Sequence, residues 1–133
     1  MLSQTGQYAL RAMDYLAACR DDGRFHLVRD ISARLGVPQQ YLSKVLHVLA
    51  RRGLLESQRG RQGGFRLGRK AEEITLFEIL DPLEDLGRYK NCILGKDQCD
   101  RQNLCTMHGM WAEIRDRYLD FLKKTTLFEL AEK

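Results

Sequence analysis

Cys92, Cys99 and Cys105 fall within fourteen residues, separated by six and then five residues, and His108 follows after two more. Thiolates are soft ligands suited to zinc, ferrous iron and iron-sulfur clusters, and an imidazole can complete such a set. The segment is too polar and too rich in Gly, Asp and Asn to bury its thiols by itself, so it reads as a loop able to wrap a metal centre. Structural zinc sites commonly use tight Cys-x2-Cys knuckles. The wider gaps here leave room for a centre larger than one ion, although spacing alone keeps zinc open, as it does three unligated thiols. A Cys105 near the start of the next helix would have its thiolate stabilised by the helix dipole, and His108, a turn further on, can point the same way. A histidine there can also simply hydrogen-bond a nearby carbonyl. The fourth cysteine, Cys19, lies on the apolar face of a predicted helix and is expected to be a buried core thiol, while His26 and His47 have no cysteine neighbours in sequence.

The elements that must position this loop are those of a small chain. Its 133 residues suffice for one compact domain plus a helix or two whose apolar surface a partner must cover. No stretch approaches the roughly 18 to 20 apolar residues needed to cross a bilayer, and Ser3, Gln4 and Thr5 follow Met1 with no basic segment ahead of an apolar core. A cytoplasmic protein without membrane contact is therefore expected. In that reducing compartment four cysteines do not suggest a disulfide framework. The net charge of +4 is unevenly spread: residues 1–70 hold thirteen Lys and Arg against five Asp and Glu, and residues 71–133 hold nine against thirteen. A polyanion would bind the first half.

In that half, Tyr8, Ala12, Leu16 and Cys19, flanked by Ala9 and Met13, recur at helical spacing from Gln4 to Cys19, and Asp21, Asp22 and Gly23 stop the helix. A short run from Phe25 to Val28 precedes Asp30, expected as the N-cap of a helix carrying Ile31, Ala33 and Leu35. Gly36 ends that helix, and Pro38 opens the next, which runs to about Arg52. This second helix has an apolar stripe of Leu42, Val45, Leu46 and Leu49, with Gln40, Ser43, Lys44, His47 and Arg51 opposite. Such a polar side can reach base edges and phosphates in a major groove, or it can be an ordinary solvated face.

The following segment favours the first reading. Leu54 to Ser57 reads as a strand, Gly60 to Gly64 as a turn and Phe65 to Leu67 as a returning strand, so a hairpin directly follows two helices joined by a tight turn. That is the order of a winged helix-turn-helix. Arg51 to Lys70 contains seven basic residues and one acidic one, with Arg59 and Arg61 at a glycine-containing tip that could approach a phosphate or enter a minor groove. A solvated basic hairpin is the alternative. Neither a Walker pattern nor a dinucleotide fingerprint is present, and no nucleophile with a positioned base stands out around Ser3, Ser32, Ser43 or Ser57, so an enzyme is not expected.

Beyond residue 70, Thr75 and Glu78 fit a capping box for a helix with Leu76, Ile79 and Leu80 on its apolar face, ended or kinked by Pro82. From Met107, Trp111, Ile114, Tyr118 and Phe121 follow at gaps of four and three, continuing through Thr125 to Phe128. This is the seam of a helix pair, economically a homodimer, unless the stripe packs on its own domain. The fold expected is mainly α with a small β-hairpin wing: a winged helix-turn-helix over residues 1–70, and a cluster-binding loop and dimerisation helices over 71–133, expected to form one compact unit.

The segments YALRAMDYLA, ISARLGVPQQYLSKVLHVLARRGLLESQRGRQGGFRLGR and the cysteine loop resemble the winged-helix regulator family that includes the iron-sulfur cluster regulator IscR and the nitric-oxide sensor NsrR. The likeness covers nearly the whole chain and is most specific from Gln39 to Leu67, with Arg59, Gly60, Gly63, Gly64, Leu67 and Gly68, and in the three cysteines. The resemblance implies a homodimer on a double-stranded DNA operator, with Gln39, Gln40, Tyr41, Ser43 and Lys44 entering the major groove. It places Arg59 and the wing tip, with Arg61, Gly63 and Gly64, near the minor groove. It also implies an iron-sulfur cluster on Cys92, Cys99 and Cys105. His108 falls where the cluster regulator has a histidine ligand, whereas the acidic ligand available to the nitric-oxide sensor is replaced here by Gln7, a poor substitute; His108 is therefore favoured as fourth ligand. The histidine favours a 2Fe-2S cluster, with 4Fe-4S as the alternative. Besides Gln7, two departures stand out: the first two cysteines stand one residue further apart than in the best-known members, which bears on loop geometry and cluster type, and Ser43 occupies a position that is acidic in the cluster regulator, so the same operator is not implied. The function expected is a transcription regulator, in the first instance a repressor, sensing redox, nitric oxide or iron-sulfur status; the alternative is a cluster-free repressor that senses thiol oxidation or carries structural zinc.

Overall fold

The side chain of Ser3 accepts the backbone N–H of Gly6 at 3.1 Å and so caps the first helix, α1 (Gln4–Ala18), in the computed structural model, which describes residues 2–84, 86 and 107–131. Its buried residues are Gly6, Ala9, Ala12, Met13, Leu16 and Ala17, one stripe at helical spacing. The stripe is centred closer to Ala9 and Met13 than the sequence suggested, which leaves Tyr8 and Cys19 at its edges, half-buried. Cys19 is thus not the core thiol expected but the C-cap residue of α1.

A single turn, Arg20–Asp22, and Gly23 in the left-handed region (φ 64°) redirect the chain. Helix α2 (Val28–Leu35) starts three residues earlier than expected: Leu27 is its N-cap, and Asp30 sits in its first turn, where a carboxylate favours the positive end of the helix. The reason lies upstream. His26 donates its N–H to Phe65 O and accepts from Phe65 N, both at 2.8 Å, and this pairing holds the entry to α2 extended.

Gly36 takes φ 68° and ends α2, Pro38 is extended, and α3 (Gln39–Arg51) follows, with Leu42, Val45, Leu46 and Leu49 buried as predicted. Strands β1 (Leu55–Gln58) and β2 (Gly64–Leu67) pair antiparallel in the register Leu55 with Leu67 and Gln58 with Gly64. Across them Arg66 pairs with Glu56 at 2.9 Å. The two central glycines of the wing are required by close approach: a Cβ on Gly63 would lie 2.1 Å from Gln58 O, and one on Gly64, already at φ 118°, would lie 1.9 Å from His26 O.

Thr75 Oγ1 accepts the N–H of Glu78 at 3.2 Å and opens α4 (Leu76–Leu80) as expected, while the Glu78 carboxylate turns to Arg69 at 2.7 Å instead of closing the box. The last long helix, α5 (His108–Lys124), ends earlier than the seven-residue pattern implied. Thr125 and Thr126 are extended, Leu76 N bonds Thr125 O at 3.0 Å and Leu127 N bonds Ile74 O at 2.7 Å, so the chain reverses into α6 (Leu127–Ala131). Phe128 therefore leaves the predicted seam and packs against the core, with the Arg20 guanidinium 5.4 Å from its ring centre.

The buried residues of α1, α2 and α3 join Phe65, Ile74, Ile79, Leu80, Leu122 and Leu127 in one hydrophobic cluster. Burial of this kind, about 25 cal/mol for each Å² of apolar surface, is the main force that fixes α3 and the wing relative to each other. Among the described residues, no helix is long and apolar enough to cross a membrane.

Candidate nucleic-acid interface and sensor elements

With its stripe of Leu and Val anchored in the core, α3 has no freedom to roll, and its other side must face outward. Gln39, Gln40 and Lys44 are exposed on it, Ser43 is half-buried, and Arg51 is exposed at its end. Tyr41, 38% exposed, is held in place: its hydroxyl hydrogen-bonds Thr5 Oγ1, and its ring stands edge-on to Tyr8 with centroids 5.5 Å apart. This bond ties the start of α3 to α1.

Between α3, the start of α2 and the wing lies an open groove of about 1080 Å³. Gln39 and His47 line it from α3, Arg29 from α2, and Ser57, Gln58, Arg59 and Arg61 from the wing. His47 packs edge-on against Phe65, centroids 5.1 Å apart, which closes the floor of the groove. Arg59 and Arg61 are exposed at the tip, and among the described residues no carboxylate pairs with them or with Lys44. Arg59 and Arg61 in the groove, Lys44 on the face beside it, and several amide and hydroxyl groups can contact phosphates while leaving donors for base edges.

The structure therefore brings Gln39, Arg59, Arg61 and Gly64 of the predicted site to one groove, with Gln40 and Lys44 on the adjoining exposed face of α3. Sequence reasoning had not singled out Arg29, Ser57 or Gln58. Arg29 carried no signal, since its helix was expected to start after it; Ser57 and Gln58 follow the buried Leu55 as exposed polar residues leading into the basic tip, and that position beside Arg59 is the signal that could have found them.

Cys92, Cys99 and Cys105 lie outside the described residues, whereas His108, the first residue of α5, is half-buried. Along α5 only Leu119 and Leu122 are buried. Ile114 and Phe121 of the predicted seam remain 54% and 55% exposed, with Trp111 and Tyr118 half-buried, and Met110 at 64% extends the apolar face towards His108. A face this apolar is uncommon on an isolated domain.

A second group of ligand-type side chains is assembled by the bend after α1. The ligand atoms of Cys19, Asp22 and His26 all lie within 4.8 Å of one another, with His26 Nε2 3.3 Å from Asp22 Oδ2. The Arg24 backbone N–H, donating to Asp22 Oδ1 at 2.7 Å, holds that carboxyl below its ordinary range, and His26 adds to the effect. Burial pushes the neighbouring Tyr15 hydroxyl up, assisted by the Cys19 thiol beside it. These three residues can coordinate a metal ion.

Comparison with known proteins matches residues 2–133 to the model of the Rrf2 family, described as iron-dependent transcriptional regulators. The chain is 34% identical over 129 residues to the HTH-type transcriptional regulator IscR of Pectobacterium atrosepticum, covering 97% of this chain and 77% of that protein. Among solved structures it is similar to CymR, the global cysteine regulator of B. subtilis, with TM-score 0.83 and 27% identity over 98% of this chain and 95% of that one. It is also similar to IscR of T. potens, with TM-score 0.77 and 25% identity, covering 98% and 85%.

Proposed function

This chain belongs to the Rrf2 family of DNA-binding transcriptional regulators, which are not enzymes, and from that premise we propose that it is a homodimeric repressor whose grip on an operator is set by an iron-sulfur cluster. The observation that carries the DNA-binding part is the groove between α3 and the wing, with Arg59, Arg61 and Lys44 unpaired by any described carboxylate. Gln39, Gln40, Ser43 and Lys44 read base edges or phosphates in the major groove, and the wing tip, with Gly63 and Gly64 shaping its base, lays Arg59 and Arg61 along the neighbouring backbone. Tyr41 acts differently from its neighbours: its hydroxyl is engaged by Thr5, so it orients α3 and offers its ring edge to the duplex.

The donor set of Cys92, Cys99, Cys105 and His108 fits a cluster. Three thiolates and one imidazole suit a 2Fe-2S centre, with 4Fe-4S the alternative, and the half-buried position of His108 at the start of α5 aims one ligand at the element that carries the uncovered apolar face. When bound, the cluster supplies a group that iron supply, oxygen or nitric oxide can alter. Helix α5 carries the consequence: its exposed Met110, Ile114 and Phe121 meet the same face of a second copy, so any shift at His108 changes how far apart the two recognition helices stand. A difference of about 1–3 kcal/mol between two such packings is enough to change operator occupancy severalfold or more.

A second reading is favoured by the likeness to CymR, named a global cysteine regulator: a cluster-free repressor in which the cysteines respond to oxidation directly or hold zinc. Iron and acid-labile sulfide content, with a visible absorbance spectrum, on protein purified without oxygen decides between the two. Iron and sulfide in cluster ratio that are lost in Cys92→Ala support the cluster sensor; zinc alone, or no metal, supports the second reading.

A further inference from the structure

The Cys19, Asp22 and His26 group takes no part in the reading above and does not depend on it. Three features set it apart from a chance meeting of polar side chains. His26 Nε2 is buried and makes no aligned hydrogen bond, although Asp22 Oδ2 stands 3.3 Å away. A buried ring nitrogen left in this state is destabilising unless something else engages it. Beside it is a small, partly open cavity of about 40 Å³ lined by Cys19 and His26, with Asp22 outside its lining, larger than the roughly 10–15 Å³ that one small guest needs. Finally, one ligand is already oriented: Tyr15 stands edge-on to the His26 ring, centroids 5.8 Å apart.

We infer that Cys19, Asp22 and His26 form a binding site for a single borderline transition-metal ion, of which zinc is the best match. Ligands at 2.0 to 2.3 Å from a tetrahedral zinc lie ~3.3–3.8 Å from one another, so the observed group, within 4.8 Å throughout, closes by small side-chain movements. One thiolate, one carboxylate and a neutral imidazole balance the charge of a divalent ion and leave a fourth position for water. A single sulfur is too few for an iron-sulfur cluster, and a thiolate with an imidazole is a poor donor set for calcium or magnesium, which prefer oxygen ligands. Binding releases the thiol proton, since only the thiolate ligates.

Three arginines line the same cavity. Arg20 points its guanidinium to Ala17 O and the Phe128 ring, Arg66 points its own to Gly23 O, Glu56 and the Phe25 ring, and Arg24 adds its charge to the hold on Asp22, a charge that a bound ion has to compete with. Cys19 also caps the C-terminal end of α1, where the helix dipole favours positive charge. The consequence reaches the wing. His26 exchanges two backbone hydrogen bonds with Phe65, so an ion that joins His26 to the end of α1 braces the base of the wing against the helix core.

The test uses cobalt as the probe. In Cys92→Ser/Cys99→Ser/Cys105→Ser protein, Cys19 is the only thiol, and Co²⁺ is expected to bind at one equivalent with a thiolate-to-cobalt charge-transfer band that Zn²⁺ removes. The band is expected to vanish in the added variants Cys19→Ser and His26→Gln. Should the triple variant fold poorly by circular dichroism, the same titration on the full natural chain against Cys19→Ser reads a loss of one metal equivalent. No charge-transfer band, or a band and stoichiometry unchanged by Cys19→Ser, overturns the assignment; the iron and sulfide content of the natural chain is unaffected by either result.

Discussion

The carboxylate of Glu84 accepts the backbone N–H of Ser3 at 2.9 Å, and the same oxygen receives the Ser3 hydroxyl. Glu84 is 9% exposed and follows α4 on the way into the cysteine segment, so this contact fastens the N-terminus of α1 to the chain that leads to the sensor loop. Gly6 makes it possible, because a Cβ there would lie 2.3 Å from Glu84 Oε1 and 3.2 Å from Leu80 Cδ2. Gly6→Ala is expected to lower stability by about 1–3 kcal/mol in urea unfolding. In a Glu84→Ala background the same change should cost less, giving a coupling of about 1 kcal/mol in the double-mutant cycle. Equal costs in both backgrounds would mean that the two sites do not interact.

A second expectation concerns the base of the wing. Gly64→Ala drives a methyl into His26 O and strains a left-handed φ, and should destabilise by about 2–4 kcal/mol. Gly60→Ala, at φ 108° but with open space around it, should cost only about 1–2 kcal/mol from the backbone alone. Chemical unfolding of both variants checks the order, which reverses only if His26 does not pair with Phe65.

Much of this arrangement was legible in the sequence, because it rests on local rules. The stripe of Leu42, Val45, Leu46 and Leu49 fixed the buried side of α3, Gly36 its preceding turn, and Thr75 the start of α4. What could not be read came from contacts distant in the chain. Asp30 lost the cap position to Leu27 because Phe65, about forty residues away, pairs with His26. The seven-residue pattern of α5 runs on through Phe128, yet Thr125 and Thr126 are drawn out by the backbone of Ile74 and Leu76. Cys19 and His26 are seven residues apart with a bend between, a spacing no linear pattern associates with a metal site.

For the wing tip, binding to a non-specific duplex measured across salt concentrations should respond to Arg59→Ala and Arg61→Ala. Each contact removed lowers the slope of log K against log salt by about 0.9, with similar weakening on every sequence. Gln40→Ala, by contrast, should leave the salt slope unchanged and relax discrimination among selected sites. A slope unmoved by both arginine variants would remove the wing from the interface.

The apolar face of α5 makes the assembly testable. Ile114→Glu with Phe121→Glu changes residues that are more than half exposed in the monomer, so chain stability should move by no more than about 0.5 kcal/mol. Sedimentation equilibrium should show the mass falling from twice 15.4 kDa to 15.4 kDa. An unchanged dimer would place the interface elsewhere.

The most direct test of a cluster-gated DNA grip is a comparison of apo and cluster-loaded protein on the same DNA. Genomic fragments selected on each form without oxygen are labelled, and affinities are measured by fluorescence anisotropy at one fixed salt concentration. At least one fragment should bind the two forms with affinities differing by about 5-fold or more, as a coupling of 1 kcal/mol or above requires, and the difference should disappear in Cys92→Ala. Equal affinity of both forms for every selected fragment would contradict it.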